Sequence, residues 1–135
     1  MSNLDTVQAM YDAFGRGDIP FILGQLADDV AWEQWEDNRA QKAGVDYMQS
    51  RYGPAGVGDF FAIVGQMKFA EFRVLHLMDG GDQVAAEILL DATMPNGARV
   101  RDEEVHLWSF DEHGKVSRFR HYLDTAKHSD AASSS

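Results

Sequence analysis

Cysteine is absent from the 135 residues, so no disulfide framework, thiolate nucleophile or cysteine-ligated metal can be built. A reducing, cytoplasmic location fits that absence. No uninterrupted apolar run approaches the ~18 to 20 residues of a membrane span, although 44% of the residues are hydrophobic. Basic side chains are scarce, with 12 Lys and Arg against 22 Asp and Glu and a formal net charge of −10. That balance argues against nucleic acid, whose binding depends on neutralising phosphates, and against anionic membrane surfaces. A small neutral or cationic ligand, or a protein partner, stays open, and solubility alone also accounts for the acidity. The opening MSNLDTVQ lacks a basic-then-apolar pattern, so no cleaved signal peptide is expected.

What is present reads as helices followed by strands. Leu4, Val7, Tyr11 and Phe14 follow helical spacing behind a Ser2 or Asn3 cap, and Gly15 and Gly17 end that helix. Asp18 caps a second helix with an Ile19, Ile22, Leu23 and Leu26 stripe and Pro20 in its first turn. DDVAWEQW reads as a short strand in which Val30, Trp32 and Gln34 share a face. Between 36 and 56 the pattern is poor: a helical piece near Val45 to Tyr52 runs into Gly53, Pro54 and Gly56. A third helix carries Val57, Phe60, Phe61, Val64 and Met67. From Lys68 the period becomes two, with strands near 69–78, 83–94, 98–110 and 115–124 joined by DGGD, PNGA and DEHG turns. The expectation is one α+β domain over residues 1–126, with three N-terminal helices packed on a strongly curved, mostly antiparallel sheet that encloses a pocket. Residues 127–135, ending in SDAASSS, read as a disordered tail.

Turn chemistry offers a register. A two-residue Asn96-Gly97 turn sets Glu87 opposite His106 and Leu89 opposite Glu104. A two-residue turn at Gly80-Gly81 sets Val74 against Glu87. A four-residue DEHG loop sets His106 opposite Phe119 and Glu104 opposite His121, whereas a three-residue loop with a bulge at Gly114 exchanges the faces of the final strand. On the first alternative, one face carries Phe72, Val74, His76, Glu87, Leu89, Glu104, His106, Trp108, Phe119, His121 and Leu123. The other, which also holds Tyr122, carries Ile88, Leu90, Val105 and Leu107 as an apolar centre with Arg101 opposite Asp124 and Arg118 and Arg120 at the border, and reads as the surface of a two-fold homodimer.

YDAFGRGD, LADDVAWE and VHLWSFDEHGKVSRFRHYLDTA, in that order, resemble the ketosteroid-isomerase/SnoaL-like branch of the nuclear-transport-factor-2-like superfamily. The resemblance spans about residues 4 to 126. It implies a cone-shaped domain with a deep apolar pocket, often dimeric. The three catalytic positions of the steroid isomerases correspond to Met10, Gln34 and His106, and none matches. Those of the similar epoxide hydrolases correspond to Glu87, Leu89 and His121, and that set is missing too. SnoaL-like cyclases are nearer: their acid/base aspartate corresponds to His121 and a pocket histidine to about His106. The pocket side of the last strand then carries Phe119, His121 and Leu123, in agreement with the four-residue DEHG loop.

The candidate catalytic set is therefore His121, His106, Glu87 and Glu104, read as two cross-strand acid–imidazole pairs. Candidate ligand-binding residues are Gln34, Trp32, Trp108, Phe119, Leu123, Phe60, Leu89 and Met10. The expected ligand is a small apolar or carbonyl-type molecule. As an enzyme, the protein would be a cofactor-independent isomerase, cyclase or lyase; the competing class is a non-catalytic ligand-binding or dimerisation module of the same fold. A metal bound by the same four acid and histidine residues lacks a supporting spacing motif, so neither metal nor cofactor is expected.

Overall fold

A computed structural model describes residues 2–33 and 35–133. Helix α1 (Asn3–Gly15) starts on a capping box in which the Ser2 hydroxyl accepts from the Asp5 N–H and the Asp5 carboxylate accepts from the Ser2 N–H. Its inward stripe is Thr6, Val7, Met10 and Ala13. Helix α2 (Ile19–Gly24) is capped by Asp18 with Pro20 in its first turn. Strand β1 (Leu26–Trp32) follows, then the short helix α3 (Arg39–Lys42), a 3₁₀ turn at Asp46–Met48 and the two-residue strand β2 (Arg51–Tyr52). The helical piece expected near residues 45–52 is thus replaced by that turn and strand. Helix α4 (Gly53–Val64) buries Val57, Phe60 and Val64. Strands β3 (Lys68–Asp79), β4 (Gln83–Thr93), β5 (Arg99–Phe110) and β6 (Val116–Tyr122) form the meander, and helix α5 (Thr125–Ser133) closes the chain. The mixed α+β architecture is the one expected from the sequence. No helix among the described residues is long and apolar enough to cross a membrane.

The six strands form one curved open sheet in the order β2-β1-β6-β5-β4-β3. Every pairing is antiparallel except β1 with β6. The helices cover the concave face, where Trp32, Trp108, Phe119, Val30 and Val116 pack with Val7, Met10, Val57 and Phe60.

Three turns decide which side chains face that core, and each departs from the sequence reading. The β4–β5 turn has three residues rather than two, because the Met94 N–H bonds the Ala98 carbonyl and Gly97 takes a left-handed φ of 88°. That single residue reverses β4: Ile88 opposes Glu104 and Ala86 opposes His106. Glu87 and Leu89 consequently sit on the convex side with Val105 and Glu103. Ile88, Leu90 and Ala86 turn inward and are buried, so the expected dimer face loses Ile88 and Leu90. At DEHG the loop is the three-residue form, with Asp111 bonded to Lys115 and Gly114 at a φ of 75°. A second irregularity, between the Phe110↔Val116 and Ser109↔Arg118 pairs, leaves Ser117 unpaired and restores the face. Phe119 and His121 therefore do point inward, but His106 opposes His121 and Trp108 opposes Phe119. At DGGD the two-residue turn is Gly81-Asp82 rather than Gly80-Gly81, with the Gly80 N–H bonded to the Gln83 carbonyl, and it puts His76 opposite Glu87, on the convex side and exposed; a bulge between Val74 and His76 then leaves Val74 opposite Ile88.

Residues 127–133, expected to be disordered, belong to α5. The Asp124 carboxylate caps that helix by accepting from the Lys127 N–H, and the helix buries His128 and Ala131. Ser134 and Ser135, the rest of the expected tail, lie outside the described residues.

Candidate functional site

The inward set of β5 is Asp102, Glu104, His106 and Trp108, all buried, and β6 adds Phe119 and His121. A further polar group follows directly on the end of β1. Strand alternation sends Trp32 inward and Glu33 outward. Glu33 instead adopts a left-handed φ of 62°, a conformation that costs a non-glycine residue about 1–3 kcal/mol. The alternation is broken there, and Trp32 and Glu33 are both only 1% exposed. Glu33 Oε1 lies 2.5 Å from His121 Nδ1.

A second chain of contacts fixes His106. Trp108 Nε1 donates to the Tyr11 hydroxyl at 3.0 Å, that hydroxyl lies 2.7 Å from His106 Nδ1, and His106 Nε2 lies 3.1 Å from Glu104 Oε1. An indole N–H can only donate, so the Tyr11 oxygen accepts it and passes its own proton toward Nδ1. His106 is then the neutral tautomer whose Nε2–H donates to Glu104. Burial, the largest influence, together with the nearby His121, lowers the His106 pKa despite the opposing hydrogen bond and charge of Glu104, which agrees with that assignment.

A matching pair approaches Glu104 from the other side. The Tyr47 hydroxyl is 2.5 Å from His128 Nδ1, and His128 Nε2 is 3.0 Å from Asp102 Oδ2 and 3.4 Å from Glu104 Oε2. Two tyrosine–histidine pairs thus converge on one carboxylate. Burial alone would raise the Glu104 pKa, but the hydrogen bonds from His106 and His128 and the nearby imidazoles hold it well below the usual carboxylate range. Burial pushes the Tyr11 and Tyr47 phenols far above their ordinary value.

His121 differs from both. Burial by itself would depress its pKa, yet the charge and hydrogen bond of Glu33, with Glu104 and Asp102 farther off, raise it above the ordinary value. Its Nδ1 is engaged by Glu33, while Nε2 has no hydrogen-bond partner among the described residues. His121 therefore favours its protonated form more than an ordinary histidine does, and it has one ring nitrogen uncommitted.

These groups line a cavity of about 90 Å³ with apolar walls. Trp32 stacks on Phe119 at 4.0 Å between ring centres, with Phe60 at 5.3 Å and Trp108 at 5.8 Å. Met10, Ile22, Val64 and Leu90 complete the inner wall. Tyr11, Phe14, Phe61, Met67, Phe69 and Phe72 border both this chamber and an outer groove of about 660 Å³ that reaches Gln8, Asp12 and Arg73. The chamber is smaller than the ~150 Å³ that accepts benzene in an engineered core. To admit a ring of that size a flexible wall residue must move, a part for which Met10 and Met67 are suited.

Of the sequence-derived catalytic set, His106, His121 and Glu104 meet here, but in other pairings. Glu104 bonds His106 on its own strand, and His121 takes Glu33. Glu87 faces the convex side and belongs to no site, which also removes the four-residue metal arrangement. Of the ligand-binding set, Trp32, Trp108, Phe119, Phe60 and Met10 line the chamber. Leu89 lies on the convex side, and Leu123 packs against the core without lining the chamber. Gln34 lies outside the described residues. Sequence reasoning missed Glu33, Tyr11, Tyr47, His128 and Asp102. Tyr11 was in the helical stripe, where a tyrosine with its hydroxyl to satisfy was the available signal.

The SnoaL-like domain family matches this chain over residues 7–119. No curated protein matches the sequence. An NTF2-like protein of unknown function from Burkholderia pseudomallei is similar in structure, with a TM-score of 0.79, 28% identity, and 98% of this chain and 99% of that chain covered. TerC co-crystallised with polyporic acid is similar at a TM-score of 0.74 and 25% identity, over 96% of each chain. A putative SnoaL-like polyketide cyclase from Mesorhizobium loti shares the fold, with a TM-score of 0.68 and 22% identity over 90% of this chain and 99% of that one.

Proposed function

The chain belongs to the SnoaL-like domain family, and on that premise we propose that its cavity binds a small, mostly apolar, carbonyl-type molecule on which His121 moves a proton. The observation that carries this reading is the single uncommitted imidazole nitrogen, His121 Nε2, on an otherwise apolar chamber wall. Glu33 orients the ring and favours its protonated form, from which Nε2–H gives its proton to a ligand oxygen and the neutral ring takes one back. Isomerisation, cyclisation, dehydration and hydration all use such a step and require no redox cofactor. His106 has no part in the transfer, since both of its nitrogens are bonded; it holds Glu104 and Tyr11 in place. The similar TerC, co-crystallised with polyporic acid, supports an organic ligand for the chamber.

The competing reading is a ligand-binding module without turnover. It is favoured by the same geometry, because of the three members of the sequence-derived catalytic set that meet at the chamber, only His121 keeps a ring nitrogen without a partner among the described residues. The test is to identify small molecules co-purifying with the protein by mass spectrometry and to assay them as substrates. Loss of turnover by about 10²-fold or more in His121→Gln supports the enzyme; full turnover in that variant removes it. Tight binding with no turnover by the wild type selects the module.

A second copy of the chain is proposed to cover the convex faces of β5 and β6. Val105 and Tyr122 are exposed there at 38% and 36%, Leu107 is half-buried, and the buried Nε atoms of Arg118 and Arg120 have no hydrogen-bond partner among the described residues. A monomeric mass by light scattering at micromolar concentration would exclude this dimer.

A further inference from the structure

Glu33 reaches His121 from a backbone conformation that favours glycine, with φ at 62°. Relaxed into the extended conformation of β1, the same residue would turn its side chain outward and away from the imidazole. Its own backbone groups show what holds it. The Glu33 N–H donates to the Phe119 carbonyl at 3.0 Å, which continues the contact of β1 with β6. On the other side the ladder with β2 runs through Ala31↔Tyr52 and Trp32↔Arg51, and one further step would set Glu33 against Ser50. That step is made by a side chain instead: the Ser50 hydroxyl donates to the Glu33 carbonyl at 2.7 Å. Glu33 is thus clamped between β6 and the residue that precedes β2, with its carboxylate on His121, two residues along from Phe119.

Ser50 is presented firmly enough to act as a clamp. It lies between Met48, whose side chain is fully buried, and Arg51, which pairs with Trp32. The neighbouring Gln49 amide ties the same segment by donating to the Gln41 and Val45 carbonyls at 3.1 Å each. Ser50 does not line the chamber, so it has no direct contact to offer a ligand there.

We infer that Ser50 is a positioning residue: its hydroxyl locks the left-handed backbone of Glu33, and with it the carboxylate, against His121 Nδ1. This deepens the proton-transfer reading and rests on it. The other ionisable groups about His121 are His106, Glu104 and Asp102 of β5 and Tyr47 of the 3₁₀ turn. Removing the Ser50 hydroxyl leaves all of them in place, so its effect on the imidazole passes through Glu33. Alanine at this position has no donor for the Glu33 carbonyl, whereas threonine keeps one.

Three variants test the clamp. Ser50→Ala removes the donor, Ser50→Thr retains it, and Gln49→Ala loosens the same segment without touching Glu33. Circular dichroism checks each fold, and urea unfolding measures each stability. A histidine C2–H NMR titration then reads His121 directly. Ser50→Ala should shift the His121 titration to lower pH, in the direction expected of Glu33→Gln. Ser50→Thr should restore the wild-type titration, and Gln49→Ala should leave it unmoved whatever stability is lost. An unshifted His121 in Ser50→Ala overturns the inference. So does an equal shift in Gln49→Ala, which would make the effect one of general loosening. If Ser50→Ala does not fold, Ser50→Cys, of similar size and with only a weak donor, decides on the same criteria. The ligand reading is judged apart, by quenching of tryptophan fluorescence with acetophenone, a single-ring carbonyl compound. Failure of the wild type to bind it counts against that reading alone, while the titration still decides the part of Ser50.

Discussion

Replacing Glu33 by Gln removes the charge that holds the His121 proton and leaves the shape of the pair intact. In the native protein burial opposes the imidazolium and Glu33 outweighs it. Glu33 supplies the largest of the causes that raise the His121 pKa, so its loss should lower that pKa. Hydrogen bonds to charged groups are worth about 1.5–3 kcal/mol against about 0.5–1.5 kcal/mol for neutral ones, so the protonated state loses about 1 kcal/mol of support. The stability consequence has a definite sign. A raised folded-state pKa contributes stability that is fully present below 6.5, the unfolded value, and disappears as pH rises through the folded value. Glu33→Gln should therefore be destabilised relative to wild type at pH 5 and nearly equal to it at pH 9, where a neutral His121 donates to Gln as well as to Glu. The assay is a histidine C2–H NMR titration, with the His121 resonance assigned by its absence in His121→Gln, together with urea midpoints at both pH values. A wild-type His121 pKa at or below 6.5, or an unchanged pKa in Glu33→Gln, would refute the reasoning.

Three further substitutions follow from the same network. Tyr11→Phe strips the hydroxyl that bridges Trp108 Nε1 and His106 Nδ1; with two buried groups left unpaired, chemical denaturation should show a loss of about 2–4 kcal/mol. His128→Ala opens a cavity under α5 and frees Asp102 and Glu104 of a shared donor; it should cost about 2–5 kcal/mol and raise amide exchange across residues 125–133 first. Glu87→Gln, on the convex side, should leave the affinity for acetophenone within twofold of wild type when followed by quenching of tryptophan fluorescence.

Much of the scaffold could be read from periodicity. The stripes of α1, α2 and α4 and the alternation in β3 to β6 identified which segments were helix and which were strand. Registers were harder, because PNG and DEHG each admit turns that differ by one residue, and one residue reverses a whole strand. The PNG error carried Glu87 and Leu89 into the site and Ile88 and Leu90 out of it. The DEHG error was cancelled by the unpaired Ser117, so His121 was placed on the correct face with the wrong neighbour. Glu33 was beyond reach for a different reason: a strand rule assigns it to the outside, and only a left-handed backbone at that position brings it in. His128 was hidden by composition, since a polar, alanine- and serine-rich tail has no core of its own and orders only against Tyr47, Asp102 and Glu104.

The most direct test of the central claim is a crystal structure of the protein soaked with acetophenone. The account predicts the ring in the chamber against Phe60 and Phe119, with the carbonyl oxygen within hydrogen-bond distance of His121 Nε2. A ligand bound in the outer groove alone, or a chamber in which His121 Nε2 turns to a protein partner, would contradict it.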